Sequence, residues 1–148
     1  HLVGIGTETV DRLVSPDIHL IIAKPDAGIS TPAAYGMLDL IHSDFYNHTP
    51  MLPDKTINAL INGMSLQSSD TLFNRFEEVL PNLCAKSLDL INYIKSCGCN
   101  ALLSGSGAAV FGIAENQKHA EKIASLINDY FPNCFTCVTK TANNGCCI

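Results

Sequence analysis

Four small residues, Ser104-Gly105-Ser106-Gly107, lie between two apolar runs, Ala101-Leu102-Leu103 and Ala108-Ala109-Val110-Phe111. Glycine at 105 and 107 admits backbone angles closed to other residues and leaves no side chain to block a ligand. Exposed N–H groups in such a turn form an anion-binding concavity, and the two serines add hydroxyls. A tight hairpin without a ligand fits the same residues, because short glycine motifs also arise by chance.

A second candidate lies upstream at Ser30-Thr31-Pro32. Thr31 suits a helix N-cap, and Pro32 suits the first helical position, where its missing N–H is not needed. Tyr35 follows Thr31 by four residues, so the two share one face just inside a helix N-terminus, a place that favours anions.

Other chemistry-bearing residues lack partners in the sequence. Cys134-Phe-Thr-Cys137 is a CxxC, but it falls in an apparent strand, where side chains three apart point to opposite faces. A redox CxxC sits instead at the start of a helix, where the thiolate is stabilised. Cys97-Gly-Cys99 closes a helix, and Cys146-Cys147 is not a prenylation box. Seven cysteines, an odd number with several in core-like segments, indicate a reduced intracellular chain. His19, His42, His48 and His119 have no carboxylate or Cys at ligand spacing and read as ordinary histidines. Glu77 and Glu78 are adjacent on a helix, point apart, and form no acid/base pair.

The periodicity supplies the elements that must position these residues. Ile18–Ala23 is a β-branched run ended by Lys24-Pro25-Asp26-Ala27-Gly28, which predicts a strand and a turn. A helix opens at Thr31, and residues 43–53 read as a loop. A helical insert follows with Ile57, Leu60, Ile61 and Met64 on one face. After Ser68-Ser69-Asp70 a short helix carries Phe73, Phe76 and Glu77. Leu83, Cys84, Ser87, Leu88, Ile91 and Ile94 repeat at helical spacing over Asn82–Cys97. Two strands flank the Gly-Ser-Gly turn. Gln117–Phe131 is amphipathic, with Ala120, Ile123, Ala124, Ile127 and Tyr130 inward, and Pro132 stops it. Phe135–Thr141 closes as a strand. The order predicts an α+β, ferredoxin-like split βαβ sandwich: an antiparallel sheet with helices on one face and a helical insertion.

Composition narrows the function classes. The 148 residues suffice for one ordinary core, and 47% apolar with 16% charged residues is globular. A net charge of −5 without Lys/Arg clusters argues against a nucleic-acid surface. The apolar runs Ile18–Ala23 and Ala108–Ala114 are too short to span a bilayer. His1-Leu2-Val3 does not begin a signal peptide, and a cytoplasmic location is expected. Residues 1–15 read as a remnant of a preceding domain, with Gly4-Ile5-Gly6 and Thr9-Val10 ending one of its edge strands, and residues 16–148 as the unit described above. The missing initial Met agrees with a piece of something longer.

Several segments resemble the C-terminal half of GHMP kinases in order and spacing: Gly4-Ile5-Gly6-Thr7-Glu8, Ala23-Lys24-Pro25, Ile29-Ser30-Thr31-Pro32-Ala33-Ala34-Tyr35, and Leu103–Phe111 with its Ser-Gly-Ser-Gly turn. Asn74-Arg75-Phe76-Glu77 resembles the helix after the family's insert. Within the superfamily the chain is most similar to the branch acting on 4-diphosphocytidyl-2-C-methyl-D-erythritol in non-mevalonate isoprenoid biosynthesis. The resemblance implies transfer of the ATP γ-phosphoryl to a substrate hydroxyl, assisted by Mg²⁺. It also implies an N-terminal kinase domain in cis that carries the ATP cradle and the catalytic Asp and Lys, so no catalytic residue is expected here. Pro25–Thr31 resembles the ATP loop only superficially, one residue short and out of order. The resemblance makes Ser104, Gly105, Ser106 and Gly107 the phosphate loop, and Thr31, Pro32 and Tyr35 substrate contacts. Tyr35 would stack on cytosine, worth roughly 1–3 kcal/mol by analogy with base stacking; packing in the core is its other reading. Glu8 matches a family glutamate and reads as a contact at the domain junction. Two alternatives stay open: a free-standing ferredoxin-like small-molecule-binding or dimerisation module, and the same domain of another GHMP enzyme.

Overall fold

The computed structural model describes residues 2–3, 7–9, 16–42, 54–61, 66 and 72–142. Near the start, Leu2–Val3 (β1) pairs antiparallel with Glu8–Thr9 (β2) in a ribbon separate from the main sheet. Gly4-Ile5-Gly6, Val10, the 43–53 segment with His48, Met64, Ser68-Ser69-Asp70 and Cys146-Cys147 lie outside the described residues.

Four strands make the main sheet: His19–Lys24 (β3), Asn100–Leu103 (β4), Val110–Ala114 (β5) and Phe135–Lys140 (β6). Their spatial order is β4-β5-β3-β6, and every neighbouring pair is antiparallel. This is the split βαβ order expected from the sequence. The register puts Ile21 opposite both Gly112 and Val138. Strand alternation then sends Ile21 and Ala23 to one face and Leu20 and Ile22 to the other.

Helices Ala85–Ser96 (α4) and Gln117–Tyr130 (α5) cover the first face. Their inward stripes, Leu90, Ile91 and Ile94 with Ala120, Ile123 and Ile127, bury completely against Ile21, Ala23, Ala101, Leu103 and Val110. Gly112 lets α4 approach this closely, since a Cβ there would lie 2.6 Å from Ile94 Cγ2. The insert helix Asp54–Ile61 (α2) takes the opposite face. There Ala59, Leu60, Leu66 and Leu72 pack with Ile18, Leu20, Phe111 and Ile113. The helical insertion is therefore where the sequence put it, but the sheet is covered from both sides rather than one. Phe111 and Ile113 explain this, because a sheet face with such apolar residues needs a cover.

Several boundaries differ from expectation. Helix Thr31–Ile41 (α1) is capped by Ser30, whose hydroxyl accepts from Ala33 N–H, so Thr31 is its first residue and Pro32 its second. Serine has the extended backbone that a cap requires, whereas Thr31 is already helical. The short helix after the insert is a 3₁₀ turn, Arg75–Val79, with Phe73 outside it. The helix expected over Asn82–Cys97 is two pieces, Leu80–Leu83 (α3) and α4, because Cys84 leaves helical angles (φ −159°, ψ 80°). Tyr130, expected inward, is exposed at the end of α5; the cap Phe131 packs against the core in its place. Among the described residues no helix is long and apolar enough to cross a membrane.

Candidate functional site

The β4–β5 connection turns on two left-handed glycines, Gly105 (φ +57°) and Gly107 (φ +91°). Gly107 faces a second constraint, since a Cβ there would lie 2.7 Å from Ile29 Cδ1 and 3.0 Å from Leu103 Cδ1. Gly105 has open space around it. Two of the loop's four N–H groups close the loop itself: Ser104 N–H donates to Ala109 O (2.9 Å) and Gly107 N–H to Ser104 O (3.0 Å). Among the described residues, the N–H groups of Gly105 and Ser106 meet no backbone acceptor, and Ser104 and Gly105 are exposed. Two of the loop's four N–H groups thus remain without a backbone partner among the described residues.

Side chains from other segments hold this shape. The Asn74 side-chain amide donates to Leu103 O and Gly105 O, both at 2.8 Å. Glu77 Oε1 accepts from Leu103 N–H at 2.7 Å. The buried Ser87 hydroxyl donates to Ala108 O at 2.8 Å on the far side of the loop. Finally, Ser106 Oγ and Thr31 Oγ1 are hydrogen-bonded at 2.8 Å, which joins the loop to the first residue of α1.

The structure thus brings together two segments more than 70 positions apart in sequence. Tyr35 sits one turn along α1 from Thr31 and is 56% exposed, so the core-packed alternative fails. Its ring stands edge-to-face on Phe76, with centroids 5.0 Å apart and planes at 83°. Phe76 in turn belongs to the 3₁₀ turn whose cap is Asn74. Pro32 and Ala33 are exposed beside Thr31, and no acidic residue occupies the first turn of α1. An anion near this helix start would face the positive end of the helix dipole without a competing carboxylate on the helix.

Glu77 and Glu78 point apart as expected, Glu77 to the loop and Glu78 to His42 Nε2. His42, which has no carboxylate at ligand spacing in the sequence, finds one 36 residues away. The CxxC cysteines lie apart in their bonding. Cys134 and Cys137 donate to separate carbonyls, of Phe135 and Val138, and both are free thiols. Burial raises the Cys134 thiol above its ordinary value, with Lys24 opposing, and pushes Cys99 up to about 11. Both stay protonated near neutrality, the form that is neither nucleophile nor metal ligand. Among the described residues no three His, Cys, Asp or Glu side chains converge as a metal would need.

A separate cleft of about 250 Å³ is lined by Pro25, Asp26, Lys86, Tyr130, Phe131 and Cys134 among others. Its rim mixes both charges over apolar residues, whereas the loop offers unpaired backbone donors.

Sequence reasoning gave Asn74 and Ser87 no role at the site. An Asn before a helical turn signals a cap, and Asn74 is one, accepting from Phe76 N–H at 3.0 Å. That its amide also reaches two carbonyls 29 and 31 residues away leaves no local trace.

Residues 52–133 match the family model described as the GHMP kinases C terminal domain, more than half of the chain. The Ser104–Gly107 loop falls inside this stretch; Thr31, Pro32 and Tyr35 precede it. Among curated relatives, a protein of Desulfitobacterium hafniense (strain Y51) named 4-diphosphocytidyl-2-C-methyl-D-erythritol kinase is 32% identical over 151 residues. The match covers 96% of this chain and 48% of the relative, so the chain spans about half the length of the relative it matches. Solved structures share the fold. A 4-(cytidine 5'-diphospho)-2C-methyl-D-erythritol kinase superposes with a TM-score of 0.69 at 22% identity, over 94% of this chain and 48% of that one. The L. major mevalonate kinase in complex with R-mevalonate gives 0.70 at 15% identity, over 90% and 45%.

Proposed function

The chain belongs to the GHMP kinase family, as its C-terminal domain, and from that premise we propose that it is the substrate-binding half of a kinase for 4-diphosphocytidyl-2-C-methyl-D-erythritol. In this reading the full enzyme transfers the ATP γ-phosphoryl to a substrate hydroxyl, a step of non-mevalonate isoprenoid biosynthesis in the cytoplasm. An N-terminal domain in cis holds ATP and Mg²⁺ and supplies the catalytic side chains.

One observation carries the reading: the Thr31–Ser106 hydrogen bond sets an exposed aromatic ring and a loop with two unpaired amides on one rim. A cytidine diphosphate has matching parts, a flat base and a diphosphate. Tyr35 stacks on the base, with Phe76 bracing its ring from the edge. The N–H groups of Gly105 and Ser106, the Ser104 hydroxyl and the start of α1 receive the diphosphate. Phosphoryl transfer depends chiefly on positioning and charge stabilisation. This half contributes by fixing the acceptor while the other half holds the donor.

The test is ATP-dependent phosphorylation of the cytidyl substrate by the enzyme containing both halves, followed by ³¹P NMR. Tyr35→Ala is expected to raise KM for the cytidyl substrate roughly ten- to hundredfold, the equivalent of about 1–3 kcal/mol of stacking, with KM for ATP unchanged. Equal losses for both ligands would refute the stacking role. Residues 1–148 alone are expected to give no turnover.

A further inference from the structure

Asn74 reaches the end of β4 and the Ser104–Gly107 loop with its two amide protons. We propose that Asn74 is a positioning residue, holding the loop in the shape that turns the Ser106 N–H outward toward a diphosphate, while the Gly107 N–H bond to Ser104 O sets the Gly105 N–H beside it. The inference deepens the function proposed above and rests on it for the identity of the ligand.

The geometry assigns Asn74 two separable tasks. Its Oδ1 accepts from Phe76 N–H at 3.0 Å and caps the 3₁₀ turn. Its Nδ2 donates to Leu103 O and Gly105 O, at 2.8 Å each. Three of the four hydrogen bonds open to a side-chain amide are thereby made. Leu103 is the last residue of β4, and Gly105 is the first left-handed residue of the turn. A single nitrogen bonded to both carbonyls fixes the path of the chain between them. With Gly105 O drawn toward Asn74, the next peptide N–H, that of Ser106, is set in the opposite direction, because a planar trans peptide directs its N–H away from its C=O.

The neighbouring contacts leave this task to Asn74. Glu77 holds Leu103 N–H, at the end of the strand before the loop. Ser87 holds Ala108 O after the loop. Thr31 holds the Ser106 side chain, not its backbone. Among the described residues, Asn74 is therefore the group from outside the loop that bonds the backbone at Gly105. The same 3₁₀ turn braces the Tyr35 ring through Phe76, so one short segment sets the distance between the base-stacking ring and the diphosphate amides.

The two tasks separate by substitution in the 148-residue chain. Asn74→Ser keeps a good N-cap and stays uncharged, but its side chain is too short to span both carbonyls. Amide hydrogen exchange measured by NMR is expected to quicken about tenfold at Ser104 and Gly107, whose N–H groups close the loop, the loss of about one hydrogen bond's worth of restraint. Phe76 N–H should exchange as in the unmodified protein. Asn74→Asp, which caps but cannot donate to a carbonyl, should reproduce the exchange pattern. In the same samples the midpoint of a CDP titration, read from loop amide shifts, should rise about tenfold for Asn74→Ser.

Unchanged exchange at Ser104 and Gly107 in both variants overturns the proposal, as does an unchanged CDP midpoint with a loosened loop. If CDP leaves the loop amides of the unmodified chain unshifted while Asn74→Ser still loosens them, the clamp is upheld and the cytidyl reading of the site falls. Asn74→Ala removes cap and clamp together; its loss beyond that of Asn74→Ser measures the cap.

Discussion

Leu90, Ile91 and Ile94 meet Ile21, Ala101 and Val110 through apolar contact under two helices, fully removed from water. At the end of the same strands, Leu103, Gly105 and Ala108 are held instead by polar side chains from the 3₁₀ turn and α4. Apolar burial is non-directional and scales with area, so it gives the fold its free energy without fixing individual atoms. Hydrogen bonds contribute only about 1 kcal/mol each net, yet they fix direction. The contrast suits a binding rim: stability is generated where no ligand goes, and geometry is imposed where one would.

Breaking the first region should cost the most. Leu90→Ala deletes a fully buried side chain at the centre of the helix-sheet core. We expect a loss of about 2–5 kcal/mol, a fall of roughly 10 °C in Tm by calorimetry. Loop amide shifts should stay in place below the transition.

The two loop glycines sharpen the second region, because they carry different constraints. Gly107→Ala meets both an unfavourable positive φ and contacts at 2.7 Å and 3.0 Å with the side chains of Ile29 and Leu103. A cost of about 2–3 kcal/mol follows from the backbone strain and overpacking together. Gly105→Ala has the positive φ and open space, so about 1 kcal/mol is expected. Chemical denaturation of the two variants checks the order. Equal costs would mean that the Ile29 contact yields freely.

These effects also mark what the sequence could disclose. The strand order, the two main helices and the loop were legible, since each rests on local periodicity or on glycine placement. The cap was misplaced by one residue because Ser30 and Thr31 are both good caps, and the backbone approach of the preceding segment chooses between them. The break at Cys84 was hidden by a continuous helical spacing through Leu83, Cys84 and Ser87. Tyr130 satisfied the inward spacing too, but the helix ends there and Phe131 takes the core position. The convergence of Thr31 with Ser106, the double reach of Asn74 and the His42–Glu78 pair are tertiary, and no spacing rule encodes them.

The smallest effect lies far from both regions. Lys140, on the edge strand, pairs with Asp17 at 2.8 Å and holds its carboxyl below the ordinary value, through a hydrogen bond first and charge second. A depressed folded value means that the pair's contribution is complete above the ordinary carboxylate value and disappears as the pH falls through the lower folded one. Both side chains are solvent-exposed, so its effect on stability should be barely measurable. Lys140→Ala should move the Asp17 titration, followed by carboxyl NMR, back up toward its ordinary value without changing Tm. A clear loss of Tm at neutral pH would show that the edge strand depends on this pair.

The central claim is that the rim formed by α1 and the Ser104–Gly107 loop receives the nucleotide diphosphate. Titrating the ¹⁵N-labelled chain with CDP and mapping the shifted amides tests it most directly. Shifts concentrated at Thr31, Tyr35, Gly105 and Ser106 are the predicted result. Shifts gathered instead around Pro25, Lys86 and Phe131, in the separate cleft, would contradict it.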